Sequence, residues 1–287
     1  MANMTQFLSV IFNRKLWLAF VLVFSSAGLS ARTLSDLDAV NKAAWERTLT
    51  MRMAKAYTQL AADLDGKTAQ AELNQAMEEF SQGLAVLEQN APNSKIHQRI
   101  LTVKKEWESF RILTENAPTR DNLEAVLDGA DELMYHTDSL VREWKNRLPN
   151  ANAESIDLAN GQSMLSERIG VYYAARAMGL DSLWVSSELE HTVEAYEDGM
   201  AALQYFEKRG QFNTALMAQL NSNWEYAKMG LSHFQEGHFV PTVIAVTMES
   251  MFEQTNTLGA SYHVQERIAM NANLNSRGLA ANMPDLD

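Results

Sequence analysis

The 287-residue sequence contains no cysteine, and this absence excludes several kinds of site. A disulfide framework, a zinc–thiolate site, a thiol nucleophile, a Cys-ligated iron–sulfur cluster and a CxxCH haem attachment all require cysteine. The sequence also lacks the G-x-S-x-G turn of many hydrolases and the Gly-rich loops that cradle phosphates. Alternating Val/Thr/Tyr runs bounded by Asn-Gly are missing too, which favours an all-α fold.

Basic residues are fewer than acidic residues in this sequence. The chain has 24 Lys and Arg residues against 36 Asp and Glu residues, giving a net charge of −12. Removal of residues 1–31, which hold two basic residues and no acidic one, makes the net charge −12 − 2 = −14. An acidic body of this kind repels nucleic acid and anionic lipid surfaces, so neither is an expected partner.

Long apolar runs are absent, apart from a short one near the N-terminus. Arg14 and Lys15 precede an apolar run over residues 16–24, and small residues follow between Ala27 and Arg32. This order predicts a cleaved signal peptide over residues 1–31 and a periplasmic or secreted protein. The run is shorter than the roughly 20 apolar residues of a membrane span, although an uncleaved N-terminal anchor is the alternative.

An internal repeat indicates the architecture. VNKAAWERTLTMRMAKAY, residues 40–57, aligns with IDLANGQSMLSERIGVYY, residues 156–173, at a constant offset of 116. The offset becomes 117 after one inserted residue and then persists through the rest of the copy. A near-constant offset over this length indicates two copies of one domain. Paired positions include Phe80/Tyr196, Gly83/Gly199 and Trp107/Trp224, and we expect the two Trp residues in the cores.

Each copy reads as four helices of about 20 to 28 residues joined by short loops. The pattern therefore predicts an all-α chain that forms two tandem up-and-down four-helix bundles. The expected segments are a signal peptide over residues 1–31, a first bundle over 32–148, a second bundle over 149–275 and a flexible tail over 276–287.

The first helix of each copy has a second face that is not a solvated one. Its core face carries Leu49, Met53 and Tyr57, whereas the opposite face should be rich in Lys, Glu and Gln if water covered it. Either the bundle itself buries this second face, or another helix packs across it. We call the residues of this face the second stripes: Val40, Ala44, Arg47 and Met51 in the first copy, and Ile156, Asn160, Ser163 and Glu167 in the second.

These two helices resemble the first-helix motif of the PilJ/NarX-type sensory domain. This family supplies the periplasmic input module of nitrate-sensing histidine kinases and of type IV pilus chemotaxis transducers, and its pattern reads approximately I-N-x-A-G-x-x-R-M-L-S-x-R. The resemblance implies four-helix bundles with a sensory role. The matching residues are Asn41, Ala43, Arg47, Leu49 and Arg52 in the first copy, and Ile156, Ala159, Met164, Leu165, Ser166 and Arg168 in the second.

The resemblance also implies a ligand. In nitrate-sensing members, the first helices of two subunits meet across a two-fold axis, and the motif's first Arg from each binds one anion. Arg47 stands at that position in the first copy, whereas Ser163 stands there in the second, so one positive charge is missing. The resemblance therefore implies a nitrate or nitrite site in an internal pseudo-dimer, formed by Arg47, Ala44, Met51, Asn160 and Ser163, with Arg52, Arg168 and Glu167 supporting or competing.

Two alternatives to this anion site remain open. Arg47 could pair with Glu167 or another acid, in which case no ligand binds. A homodimer through the same stripe could instead bring together two Arg47 side chains, which would preserve an anion site made from two rigid guanidinium forks.

Other chemistry is not expected. Glu188 and His191 form an E-x-x-H, but Glu72 and Gln75 occupy the matching positions of the first copy, so the pattern does not indicate a metal site. No cofactor and no catalytic residue is predicted. We predict a non-enzymatic periplasmic sensory or ligand-binding protein that acts with a membrane-bound sensor kinase, chemoreceptor or transporter component.

The alternative function is a ligand-free interaction or scaffold module. The sequence after the second copy shows no second membrane span, long signalling coiled coil or transmitter domain. We therefore expect a separate partner to carry any signal across the membrane.

Overall fold

The described part of the chain consists of helices. The structure is a computed structural model and describes residues 34–64, 66–148, 153–180, 182–210, 213–235 and 240–281. No strand occurs within these ranges, so the prediction of an all-α fold is confirmed. The helices are α1 (Asp36–Ala61), α2 (Gly66–Gln89), α3 (Ser94–Thr114), α4 (Arg120–Lys145), α5 (Glu154–Ala177), α6 (Leu183–Gly210), α7 (Thr214–Gln235) and α8 (Pro241–Ala281).

Short polar side chains start several of these helices. The Ser35 side chain accepts a hydrogen bond from the backbone N–H of Asp38 at the start of α1, and Asn93 and Thr119 cap α3 and α4 in the same way. Such N-caps satisfy backbone donors that have no partner within the helix. Gly179 follows α5 with a φ of 80°, a left-handed conformation that is typical of the residue after a helix.

The helices pack in two groups of four. In the first group, α1 contacts α2 and α4, and α3 contacts α4; in the second, α5 contacts α6 and α8, and α7 contacts α8. A long contact between α1 and α5 joins the two groups into one compact unit. The change of group falls between the end of α4 at Lys145 and the start of α5 at Glu154. The predicted signal peptide lies outside the described residues, and α8 continues through Ala281, beyond the predicted start of the tail.

The packing repeats where the sequence repeats. The rings of Phe80 and Trp107 have centroids 4.8 Å apart, and those of Tyr196 and Trp224 at the equivalent positions are 4.6 Å apart. Trp107 and Trp224 are both buried, as predicted.

A second repeated contact involves the tyrosine near the end of each first helix. Tyr57 donates a hydrogen bond to the backbone carbonyl of Ala117, in the turn before α4. Its equivalent Tyr173 accepts one from the backbone N–H of Val240, the residue before α8. Each first helix is thus hydrogen-bonded to the chain just before the fourth helix of its own group.

The helices α1 and α5 run side by side in the same direction. Polar contacts between them advance together along both helices. Arg47 contacts Asp157, Thr48 contacts the carbonyl of Asn160, and Arg52, one turn after Thr48, contacts Glu167. All eight residues of the two second stripes are buried. The second face of α1 is therefore packed against another helix, as the pseudo-dimer arrangement requires.

Candidate functional site

Arg47 occupies the α1–α5 interface with two carboxylates bound to its guanidinium. Its Nη1 donates to Asp138 on α4 at 2.6 Å, and its Nη2 donates to Asp157 on α5 at 2.9 Å and to the Asp157 backbone carbonyl at 3.3 Å. Only 5% of Arg47 is exposed to solvent. This is the outcome in which the guanidinium pairs with nearby acids, but the acids are Asp138 and Asp157 and not Glu167.

The electrostatics around Arg47 favour the charged forms of Arg47 and Asp157. Burial alone would lower the pKa of Arg47, but Asp157 and Asp138 raise it above its ordinary value. Burial alone would raise the pKa of Asp157, yet Arg47 and Lys145 lower it below its ordinary value. Lys145 donates to the second carboxylate oxygen of Asp157 at 2.7 Å. Asp157 is consequently held between two cations and stays ionised to low pH.

The other residues implied by the family resemblance do not converge on the Arg47 guanidinium. Ser163 donates to Thr255 on α8 at 2.9 Å, and the Asn160 amide donates to Asn41 at 3.2 Å and to the carbonyl of Ile156 at 2.9 Å. Ala44 and Met51 are buried in the shared core. These side chains have partners within the protein, so the described residues do not form an open anion cradle.

A second cluster of charges lies one to two turns further along the interface. Arg52 donates to Glu167 at 3.0 Å and to Glu249 on α8 at 3.1 Å. Lys55 contacts the same two carboxylates, Glu167 at 2.9 Å and Glu249 more closely. Glu72 on α2 lies 3.8 Å from both Arg52 and Lys55. Two cations of the first group are therefore shared by two carboxylates of the second.

Burial makes this second cluster sensitive to the loss of any member. Glu167 is 1% exposed, and burial raises its pKa above the ordinary value although Lys55 and Arg52 oppose the shift. Burial alone would lower the pKa of Lys55, but Glu167 and Glu249 raise it. A buried carboxylate of this kind is tolerated only while its cations remain in place.

A third cluster is the approximate counterpart of the second. Arg168, the repeat equivalent of Arg52, donates to Asp131 on α4 at 2.9 Å and to Glu188 on α6 at 2.7 Å. Glu188 is in turn the repeat equivalent of Glu72. Each Arg thus contacts an acid in its own group and an acid on the last helix of the other group. This is the pattern expected of two subunits related by a two-fold axis.

Two small cavities adjoin the interface. One of about 160 Å³ is lined by Asn41, Trp45, Asn160, Asn256 and Ala260. The other, of similar volume, includes Trp45, Arg52, Glu72 and Phe252 among its lining residues. Amide and aromatic groups dominate the first cavity, whereas Arg52 in the second is already engaged by acids and lies 4.5 Å from the centre of the Phe252 ring.

Two kinds of feature were not found within the described ranges, a metal-binding cluster and a membrane-spanning helix. There, no group of three or more His, Asp or Glu side chains is arranged to hold a metal ion. The helices over the same ranges are also not long and apolar enough to cross a membrane.

The residues that sequence reasoning missed are mainly the acids. Asp138 and Glu249 lie on the fourth helices, α4 and α8, and form ion pairs with Arg47 and Arg52 of α1. Asp157 was detectable, because it stands beside Ile156 where the family pattern and Asn41 of the first copy have an amide. A carboxylate at that position can bind Arg47 in place of an anion.

In the comparisons with known proteins, a family model matches part of the chain. Searches of curated proteins and of solved structures found no match for the chain. Residues 29–141 match the PilJ family model, described as "Type IV pili methyl-accepting chemotaxis transducer N-term". The matched segment covers α1 to α3 and most of α4, including Arg47, Arg52 and Lys55. Residues 29–141 are therefore similar to the PilJ-type N-terminal domain over about two fifths of the chain.

Proposed function

We propose that the chain is a non-enzymatic periplasmic sensory-type module in which the second bundle, as a second PilJ-like copy, takes the place of a second subunit. In this proposal the interface between the first helices is closed by the protein's own carboxylates and holds no anion. The module acts by binding a membrane-bound signalling or transport partner, such as a chemoreceptor or sensor kinase. The family description of residues 29–141 supports this kind of partner.

The observation that carries the proposal is the pairing of the Arg47 guanidinium with two carboxylates of the protein. Asp138 and Asp157 stand where an oxyanion would have to accept hydrogen bonds from the guanidinium. A nitrate ion would have to displace a carboxylate that is already desolvated and bound by charge-assisted hydrogen bonds. It would also enter an interface that already contains several acids.

A second candidate function, binding of nitrate or nitrite beside Arg47, is favoured by one specific feature. The Nε atom of Arg47 is buried and has no hydrogen-bond partner among the described residues. Asn160, one of the residues implied by the family resemblance, also lines the nearby cavity of about 160 Å³.

Thermal unfolding with added nitrate or nitrite separates the two candidates. We expect no saturable change in the Tm of the wild-type protein. A ligand present at 100 times its Kd would stabilise the fold by about 2.7 kcal/mol, a shift of several degrees for a chain of this size. The matched control is Arg47→Ala. A saturable rise in the wild-type Tm that is lost in Arg47→Ala would establish the anion site and contradict the ligand-free module.

A further inference from the structure

Glu46 is a buried carboxyl group without a hydrogen-bond partner. It lies on α1 next to Arg47 in sequence, and none of its surface is exposed. Both of its carboxyl oxygens are buried and make no hydrogen bond within the described part of the chain. An ionised carboxylate in such surroundings is strongly disfavoured, because burial removes its water and nothing replaces it.

The position of Glu46 is fixed by a close approach to α2. A Cβ atom placed on Gly83 would lie 1.7 Å from one Glu46 carboxyl oxygen, so only glycine leaves room for this side chain. The equivalent pair in the second bundle is Gln162 and Gly199, where an added Cβ would lie 1.8 Å from the Gln162 amide nitrogen. The same pocket against a glycine therefore holds a carboxyl group in one bundle and a neutral amide in the other.

Glu46 and Gln162 allow a titratable and a non-titratable group to be compared at the same place within one chain. Gln162 is 1% exposed and has nearly the shape of a protonated glutamic acid. Because the second bundle accommodates the neutral amide at this place, the first can accommodate a neutral carboxyl group with the same packing. An ionised carboxylate has no counterpart in the second bundle.

The charges that act on Glu46 do not compensate for its burial. Lys42 lies one turn earlier on α1 and opposes the effect of burial, whereas Glu79 on α2 adds to it; together, burial and Glu79 raise the pKa of Glu46 well above its ordinary value. The acids that reach α1 from α4 and α5 are bound to other cations, Asp138 and Asp157 to Arg47, and Glu167 to Lys55 and Arg52.

We propose that Glu46 is a proton-binding site, and that release of its proton loosens the packing of α1 against α2 in the first bundle. Because α1 also forms the interface with α5, a change in its packing reaches the second bundle. The proton is thus a ligand of the PilJ-type bundle itself. This proposal does not depend on whether an anion binds beside Arg47.

The sign of the pH effect follows from the direction of the pKa shift. The unfolded chain releases this proton near the ordinary value of 4.5, whereas the folded chain retains it to higher pH. Stability from Glu46 is therefore fully present below that value and is lost as the pH rises toward the folded-state pKa. While only the folded state holds the proton, the folding equilibrium constant falls about tenfold per pH unit.

Denaturant unfolding of the full chain between about pH 5 and about pH 8 tests the proposal. The matched variant is Glu46→Gln, which gives the first bundle the residue found in the second. We expect Glu46→Gln to match the wild type near pH 5 and to exceed its stability progressively at higher pH. Adding Gln162→Glu to this variant should restore the pH dependence in the second bundle.

Two further measurements report on the proton and on the packing directly. The infrared spectrum of the wild type should contain a protonated-carboxyl band at the low-pH end of this range that Glu46→Gln lacks. Hydrogen exchange along α1 and α2 should rise in the wild type relative to Glu46→Gln at the same high pH. If the two proteins share one pH dependence of stability, or if the infrared band is absent, Glu46 is not a proton site and the proposal is overturned.

Discussion

Replacement of Lys55 by methionine is expected to lower the free energy of unfolding by about 3 kcal/mol. Methionine fills much of the same space, so the cost comes from charge and not from a cavity. Glu167 would remain 1% exposed with Arg52 as its remaining cation, and Glu249 would lose its closest contact. Removal of one partner from a buried pair leaves an uncompensated charge, which costs far more than loss of an exposed pair. Urea denaturation of the purified protein measures the change.

Two comparisons separate this effect from a general sensitivity to lost lysines. Lys104→Met removes an exposed cation that pairs with Glu88 at 2.8 Å, and we expect a loss of at most about 1 kcal/mol. The double variant Lys55→Met/Glu167→Met should be more stable than Lys55→Met alone, because the buried carboxylate that lost one of its two cations is then removed as well. Equal losses for Lys55→Met and Lys104→Met would contradict this account. They would show that burial of the interface cluster adds nothing to the cost of removing a cation.

Gly83→Ala is expected to destabilise the fold by about 2 kcal/mol, even though alanine normally favours a helix. The added methyl group would lie 1.7 Å from a Glu46 carboxyl oxygen and 2.6 Å from the carboxyl carbon. Glu46 is fully buried, so its displacement disturbs the contact of α1 with α2. Thermal and denaturant unfolding should both report the loss.

The matched control for Gly83→Ala is the same substitution at Gly161 in α5. There an added Cβ meets only the end of Arg47 at 3.5 Å, an ordinary contact, so Gly161→Ala should stabilise by about 0.5 to 1 kcal/mol. In a Glu46→Ala background, Gly83→Ala should lose most of its cost because the clashing side chain is gone. A cost that persists in that background would place the clash elsewhere.

Much of the fold was predictable because it depends on periodicity and on the repeat. The all-α class and the buried positions of Trp107 and Trp224 follow from apolar spacing that any four-helix packing must satisfy. The contact of α1 with α5 was one of the two predicted ways to bury the second stripes, which carry fewer charged residues than a solvated helix face. The sequence shows Gly83 and Gly199 as a repeated pair. It does not show that each leaves room for a side chain of the neighbouring first helix.

The candidate site was less predictable because its chemistry depends on which side chains meet. Spacing places Arg47 on the second stripe of α1, but its partner Asp138 comes from α4, about ninety residues away in sequence. The burial of Glu46 was hidden for a related reason. A lone Glu between Trp45 and Arg47 reads as a solvated charge until the close approach of Gly83 is known.

Sedimentation equilibrium of the wild type and of Lys55→Met tests most directly whether the second bundle takes the place of a second subunit. If the ion pairs of Lys55 and Arg52 with Glu167 and Glu249 join two bundles of the same chain, both proteins should have the mass of one chain. A wild-type mass of two chains that falls to one chain in Lys55→Met would contradict the account, because it would place those ion pairs between separate subunits.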